Sequence, residues 1–452
     1  MKKTKKMTIK PLTRIEGHGQ IEIFVSKAKD EVSRVNFSIL DYRGIEKILI
    51  GKKISEIPRL VSKICGFCSA AHIVASCKAF ETALDIEPTY ASALLRQLIM
   101  LGEIITNHMI HFAYMALPDL LSLASASLEN DVIYNRSEIF VKASKLISIG
   151  RNLMEIVGGR TVQPVSIIIG GSSKNLTEKE VNLLKRSLKS GIAIAKFFLN
   201  FAQETIEKID DDTIKMFELK NPSYMGLQRD GSYSFYDGSF KIANEDRETL
   251  ATFDVNDYDK FIIDNRIKIS NLTSSSKQES ERGVLVGPLA RYHVTNEYGV
   301  YEVHEILKDF QKWDENILMM NVLRLIEILV CLYKGLLILD NTEITKEQPV
   351  FVTSTKLKYN NVFSAVEAPR GTLIHYYEVN QNMTVDDVQI RVPTELNTFS
   401  IHEILNRICK EEFTKNKSLE TVQETAKLIV RSFDPCISCT SVSLQKTHRV
   451  RF

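Results

Sequence analysis

Hydrophobic and polar positions change period several times along this chain, and each change marks an element. From Gly19 to Tyr42 apolar and polar residues alternate around a polar Lys27–Glu31 stretch, which predicts a β-hairpin. Beyond Ile54 the apolar spacing lengthens to three and four. The run from Glu87 to Leu117 predicts a long helix opening at Glu87-Pro88-Thr89. Further helices are predicted over 138–157, 178–209 and 303–339. Gly158 to Gly171 reads as a glycine-bounded loop or strand; its glycines lack phosphate-loop spacing and no Gly-Lys-Ser/Thr follows. Phe217 to Gly283 reads as a β-rich excursion with a loop near Ser274. Pro349 to Thr394 is strand-rich, and Ser418 to Phe433 forms a final helix. No internal repeat or low-complexity tract interrupts the pattern.

These elements predict an α+β chain, a large multi-helix central bundle with peripheral antiparallel β-sheets. The expected lobes are an N-terminal hairpin lobe over 1–53, a helical core over 54–215, a mixed β-rich excursion over 216–300, and a helix, a β segment and a C-terminal cysteine motif over 301–452. The most apolar stretch, Ile317 to Leu339, carries Asn321, Arg324, Glu327 and Lys334. Four such residues are costly in hydrocarbon, so this is expected to be a core helix, not a membrane span.

Composition narrows the function classes. A formal net charge of +2 without a basic run makes no case for nucleic acid. The basic start, Met1 to Lys10, lacks the apolar core of a signal peptide, so a soluble cytoplasmic protein is expected. Seven cysteines in 452 residues are too few for a disulfide scaffold and point to selected thiols with metal or redox roles.

Four of the seven fall in two Cys-x-x-Cys pairs, Cys65/Cys68 in "KICGFCSAAH" and Cys436/Cys439 in "SFDPCISC". Thiolates at this spacing reach one metal ion, and two pairs make a four-sulfur site. Structural zinc is the plain alternative, but zinc ribbons place their pairs about 15–20 residues apart. Here Cys68 and Cys436 are 368 positions apart, so the whole fold would have to build the site. Neither pair lies in the βαβ context of a thioredoxin-like motif. Cys77, Cys331 and Cys409 sit on apolar helical faces and are expected to be packed thiols.

Other short segments join the pairs in order: "PLTRIEGHG" with Glu16, "DYRGIEKIL" with Glu46, "VGPLARY", "VEAPRGTLIH" with Pro369 and Arg370, and "RVPTELN" with Thr394. Together with the cysteine motifs they resemble the large, catalytic subunit of nickel–iron hydrogenases from the first motif to the last. "RGIEKIL" and "VGPLARY" look most like the cytoplasmic branch.

The resemblance implies that Cys65, Cys68, Cys436 and Cys439 carry a Ni–Fe centre, with Cys68 and Cys439 bridging the metals and carbon monoxide and cyanide on the iron. It implies reversible heterolytic cleavage of H2. Glu16 would carry protons away from Cys436, and Arg370 with Asp434 would cover the metals with charge. Pro369, Arg370 and Thr394 would cradle the cyanides, and His72 would donate to a bridging sulfur. Asn107 stands where many relatives carry aspartate or serine, and Gln163 where they carry histidine on the partner-facing side. Expected partners are an iron–sulfur small subunit, further electron-transfer subunits of flavin, ferredoxin-like or heterodisulfide reductase type, and maturation proteins.

One departure touches magnesium. The family places histidine, less often arginine, three residues after the last cysteine; here that residue is Val442, and ten more follow to Phe452. Without that histidine the magnesium site loses a ligand, although Glu46 and the neighbouring Glu395 could hold a cation between them. The missing cleavage signal leaves three readings: maturation without proteolysis, which is preferred, a tail in the place of the usual C-terminus with His448 reaching the vacant position, or a divergent member with altered activity. Competing readings are a hydrogen-sensing regulatory protein on the same scaffold and a non-catalytic relative with zinc or no metal.

Overall fold

The computed structural model describes residues 4–40, 42–124, 128–263, 266–267, 283–346 and 356–441. Eight helices matter for the site: α1 (Ser69–Leu84), α2 (Tyr90–Ile110), α3 (Leu128–Gly158), α4 (Glu178–Ile206), α5 (Pro288–Val294), α6 (Met319–Leu339), α7 (Thr398–Asn416) and α8 (Leu419–Ser432). Their ends follow local chemistry. The Thr89 hydroxyl accepts the Ser92 N–H (3.2 Å) at the start of α2. A reciprocal capping box between Thr177 and Glu180 opens α4. Helices α2, α3, α4 and α6 pack together as the central bundle. Where α2 crosses α3 the backbones nearly touch: a Cβ on Gly150 would lie 2.6 Å from the Gly102 carbonyl.

The β parts are peripheral and antiparallel, as expected. Strands β1 (Thr4–Ile9), β2 (Gly19–Ser26) and β3 (Glu31–Ile39) form one sheet. A second contains β4 (Tyr224–Arg229), β5 (Ser232–Tyr233), β6 (Ser239–Ala243) and β7 (Thr249–Phe253). The third is β8 (Asn361–Ala368), β9 (Gly371–Val379) and β10 (Val385–Arg391). The hairpin of the first sheet buries Ile21, Ile23, Val35 and Phe37. Helix α7 ties itself to β3 through Asn406, which accepts from the Val35 N–H (2.8 Å) and donates to the Val35 carbonyl (2.9 Å).

Three expectations change. Strand β1 adds to the hairpin; it is a short, lysine-rich edge strand, and such edges carry little alternation to read. The single helix expected over 303–339 is two, Tyr301–Lys308 and α6. Between them the Leu219 N–H donates to the Glu315 carbonyl (2.7 Å) and the Ile317 N–H to the Phe217 carbonyl (3.1 Å), and this pairing with a distant segment breaks the helix. Helix α7 stands where no element was expected, although Ile401, Ile404, Leu405 and Ile408 carry helical spacing. The loop near Ser274 lies outside the described residues. Among the described residues no helix is long and apolar enough to cross a membrane. In α6 the residues Asn321, Arg324 and Glu327 are buried in protein, as a core helix requires.

Candidate metal centre

The two cysteine pairs meet. All four sulfurs lie within 4.8 Å of one another and all four residues are buried. Cys65 is 3.4 Å from Cys436, Cys68 is 3.0 Å from Cys439, and Cys436 is 2.9 Å from Cys439. Each pair opens a helix: Cys68 is the N-cap of α1, and Cys436 that of the short helix Ile437–Thr440. Helix N-termini favour negative charge, so both turns suit thiolates. Hydrogen bonds from Cys436 and the other thiols pull the Cys65 thiol well below its ordinary value, while burial pushes Cys436 and Cys439 up. Such a set will hold all four sulfurs as thiolates only with a cation among them. The remaining thiols, Cys77, Cys331 and Cys409, are buried and away from this cluster, as expected of packed cysteines.

The polar shell places each residue singled out from the sequence. Arg370 is buried; it donates from Nε to the Asp434 carbonyl (2.8 Å), from Nη2 to Asp434 Oδ1 (3.2 Å) and from Nη1 to Asn107 Oδ1 (3.4 Å). Burial opposes its charge, but Asp434 and the thiols push its pKa well above the ordinary arginine value. Asp434 is itself buried, takes a left-handed backbone (φ 50°), and its Oδ2 has no hydrogen-bond partner among the described residues. Asn107 donates to the carbonyls of Phe67 (2.5 Å) and Glu103 (2.7 Å), so its oxygen is the atom turned to Arg370. The Thr394 hydroxyl accepts the Cys436 N–H (2.8 Å). The Pro369 carbonyl turns away, to Arg291 (3.0 Å). Gln163 is held by its backbone N–H on the Ser69 hydroxyl (3.0 Å).

Glu16 reaches the centre from the far end of the chain. Its backbone bridges Cys436, its carbonyl accepts the Ile437 N–H (3.2 Å), and its carboxylate accepts the Ser438 N–H (3.0 Å) and the Ser438 hydroxyl. Gly17 permits this approach: a Cβ there would lie 2.5 Å from Ile437 Cβ, at φ 84°. Asp119 holds the same loop from the other side, pairing with Arg14 and with Arg431 Nη1 (2.9 Å) at the end of α8. Glu16 is half-buried, between the enclosed thiols and the surface.

His72 Nε2 is 3.7 Å from Cys439 Sγ, and its Nδ1 is 3.0 Å from His375 Nε2. His375 Nδ1 in turn lies 2.8 Å from the Tyr377 hydroxyl. Burial lowers the His72 pKa to about 4 and that of His375 well below its ordinary value, so both rings are neutral at pH 7. With Cys439 as thiolate the chain runs one way: Tyr377 donates to His375, His375 to His72, and His72 to the sulfur.

Sequence reasoning missed several contributors. Glu103 is buried and accepts the Ala70 (2.7 Å) and Ala71 (3.1 Å) N–H groups, capping α1 directly after Cys68. A glutamate amid the apolar face of α2 was its one signal. Leu373 and Pro393 join Cys68, His72, Ala368, Arg370, Cys436 and Cys439 around a small cavity beside the sulfurs. Tyr377 and Ser438 carried no signal of their own. Burial pushes the Glu103 carboxyl up to about 8, from an ordinary 4.5. The folded state therefore binds this proton more tightly, and the stabilisation is complete below about pH 4.5 and is lost as pH rises through 8. Glu103→Gln should flatten that slope in denaturant unfolding compared at pH 5 and pH 8; an unchanged slope would show that Glu103 is not the group responsible.

Comparison with known proteins agrees with this geometry. A model of nickel-dependent hydrogenases matches residues 43–157 and 195–442, and a model described as HoxL-like matches residues 6–42. The chain belongs to the nickel-dependent hydrogenase family. It is similar to the "A" polypeptide of the F420-non-reducing hydrogenase vhu of Methanocaldococcus jannaschii, at 30% identity over 90% of this chain and 99% of that one. It is also similar to the alpha polypeptide of sulfhydrogenase 1 of Pyrococcus furiosus, at 28% identity over 96% of this chain and 97% of the relative. Among solved structures, an NAD+-reducing [NiFe]-hydrogenase in the H2-reduced state superposes with a TM-score of 0.87, at 23% identity, covering 97% of this chain and 99% of that one. That likeness is one of fold. This hydrogenase-family chain is accordingly an enzyme with a four-cysteine metal site.

The donor set fits the metals of the family: four buried soft sulfurs, with a cavity that is apolar at Ala368, Leu373 and Pro393 and cationic at Arg370. Magnesium fits less well. Glu46 Oε1 accepts the Ile390 N–H (2.8 Å), and Glu395 Oε1 is paired with Arg391 Nη1 (3.0 Å), so a guanidinium already supplies positive charge there. Val442 and His448 lie outside the described residues.

Proposed function

We propose that this chain is the catalytic subunit of a cytoplasmic Ni–Fe hydrogenase that cleaves H2 reversibly into protons and electrons. A Ni–Fe centre bearing carbon monoxide and cyanide on iron, held by Cys65, Cys68, Cys436 and Cys439, would supply the redox and Lewis-acid chemistry. The observation that carries the reading is the convergence of four buried thiols under a buried arginine, with a half-buried carboxylate at their edge. A structural zinc site has use for the sulfurs but none for Arg370, Asp434 or Glu16.

The roles of the chain's own residues follow from position. Arg370, held by Asp434 and Asn107, keeps a fixed positive charge where negative charge develops as H2 is polarised. Arg370 and Pro393 line the cavity beside the sulfurs and, with Thr394 next to Pro393, would border cyanides on the iron. The Tyr377–His375–His72 chain presents an N–H to the Cys439 sulfur and so tempers its basicity. Glu16, fixed by Ser438, takes a proton released beside Cys436 and faces outward to pass it on. The N-terminal end of α1 and the loop near Gln163 give an electron route towards an iron–sulfur partner chain, and relatives named as single members of multi-chain hydrogenases support such a complex. Further electron-transfer subunits and maturation proteins would complete it.

Metal analysis with infrared spectroscopy of the purified complex tests this. About one nickel and one iron per chain beyond the partner's clusters are expected, with carbonyl and cyanide bands. Zinc, or no metal, without those bands would overturn the reading.

A further inference from the structure

Arg291 lies in α5, wholly buried and outside the cavity lining, and all five of its N–H groups are used. Nε donates to Glu327 Oε1 (2.7 Å) and Nη2 to Glu327 Oε2 (2.6 Å). Nη1 donates to Glu367 Oε2 (2.9 Å). The two remaining N–H groups grip consecutive peptide carbonyls, Ala368 O (3.1 Å) and Pro369 O (3.0 Å), directly before Arg370. Burial opposes charge on Glu327, but Arg291 and His108 draw its carboxyl down to about 2, while burial raises that of Glu367. The guanidinium and both carboxylates are fully buried.

An independent contact clamps the same loop from its backbone side. Gly287 caps α5 at φ 110°, and a Cβ on it would lie 2.8 Å from the Arg370 carbonyl. A Cβ on Gly371, at φ 135°, would lie 2.7 Å from the Gly287 nitrogen. The first turn of α5 and the turn joining β8 to β9 therefore interlock with no side chain between them. Arg370 emerges from that joint to reach Asp434 and Asn107.

We propose that Arg291 is a positioning residue: by holding the Ala368 and Pro369 carbonyls it sets where the Arg370 guanidinium stands over the four cysteines. The inference rests on the function proposed above. Lysine cannot replace it, because an ammonium offers three donors from one point and cannot span two carboxylates and two carbonyls.

The test uses Arg291→Lys in the purified complex, with metal content, infrared spectra, kcat and KM for H2, and a crystal structure. Expected are retained nickel and iron, displaced cyanide bands, kcat lower by about 10²-fold with KM little changed, and loss of the Arg370–Asp434 contact. A loaded, folded variant with unmoved bands and an unmoved Arg370 would overturn the proposal. Should Arg291→Lys fail to fold, Gly287→Ala pushes on the Arg370 carbonyl while sparing the ionic cluster, and it must shift Arg370 and the bands likewise; unmoved, it overturns the proposal too. If the wild type lacks cyanide bands altogether, the hydrogenase reading fails by that result, while the crystallographic position of Arg370 still judges Arg291.

Discussion

Cys436→Ser is expected to leave a folded chain without nickel and without measurable hydrogenase activity. Its sulfur lies 2.9 Å from Cys439 and 3.4 Å from Cys65, so it is a member of the cluster and not a neighbour of it. A serine hydroxyl is a harder donor with a far higher pKa, and it does not replace a soft thiolate. Folding should survive, because the Cys436 N–H keeps its bond to the Thr394 hydroxyl (2.8 Å) and the Glu16 bridge is a backbone contact. Cys409→Ala is the control: that thiol is buried on α7 away from the cluster, and the variant should keep its nickel. The measurement is nickel and iron per chain in both variants. Full nickel in Cys436→Ser would remove this residue from the ligand set.

Glu16→Gln should have the next largest effect and should separate metal binding from proton movement. Glutamine keeps the shape and can still accept the Ser438 N–H, but it cannot take up and release a proton. Loss of a positioned acid–base group costs about 10²–10⁴-fold in turnover. Metal content and the carbonyl and cyanide bands should stay as in the wild type, since Glu16 is no part of the cluster. Exchange of H2 with deuterium from solvent should fall together with H2 oxidation, because both need the same proton to leave. Activity within a few-fold of wild type would assign the exit of protons to another group.

These two predictions rest on residues 420 positions apart in sequence, Glu16 and Cys436. The paired cysteines were legible from their spacing in a chain without a disulfide pattern, whereas Glu16, in a short polar turn beside Gly17, was named only through the resemblance of its motif. The shell that tunes them was legible only in part. Arg370, Asp434, Thr394 and His72 could be named from motifs. Glu103, Tyr377 and Arg291 could not be assigned a role, since a single polar residue on an apolar helix or strand reads the same whether it caps a helix, relays a hydrogen bond or grips a loop.

The sequence alone determined the periods of the helices and strands, the apolar character of α6 and the presence of a four-thiol site, because these depend on residue type and near-neighbour spacing. Tertiary structure decided what distant segments do to one another. It broke the helix expected over 303–339 by pairing 315–317 with 217–219. It brought Glu16 to Ser438 through a glycine with no room for a side chain, and it paired Glu395 with Arg391. It also showed that Arg291, the last residue of the "GPLAR" stretch, spends every donor it has on the loop that carries Arg370 and on the carboxylates behind it. The physical reason is common to all of these. Local propensity acts over a few residues, whereas desolvated charges and unpaired backbone groups must be satisfied wherever the fold leaves them, by whichever partner the packing brings within hydrogen-bond reach.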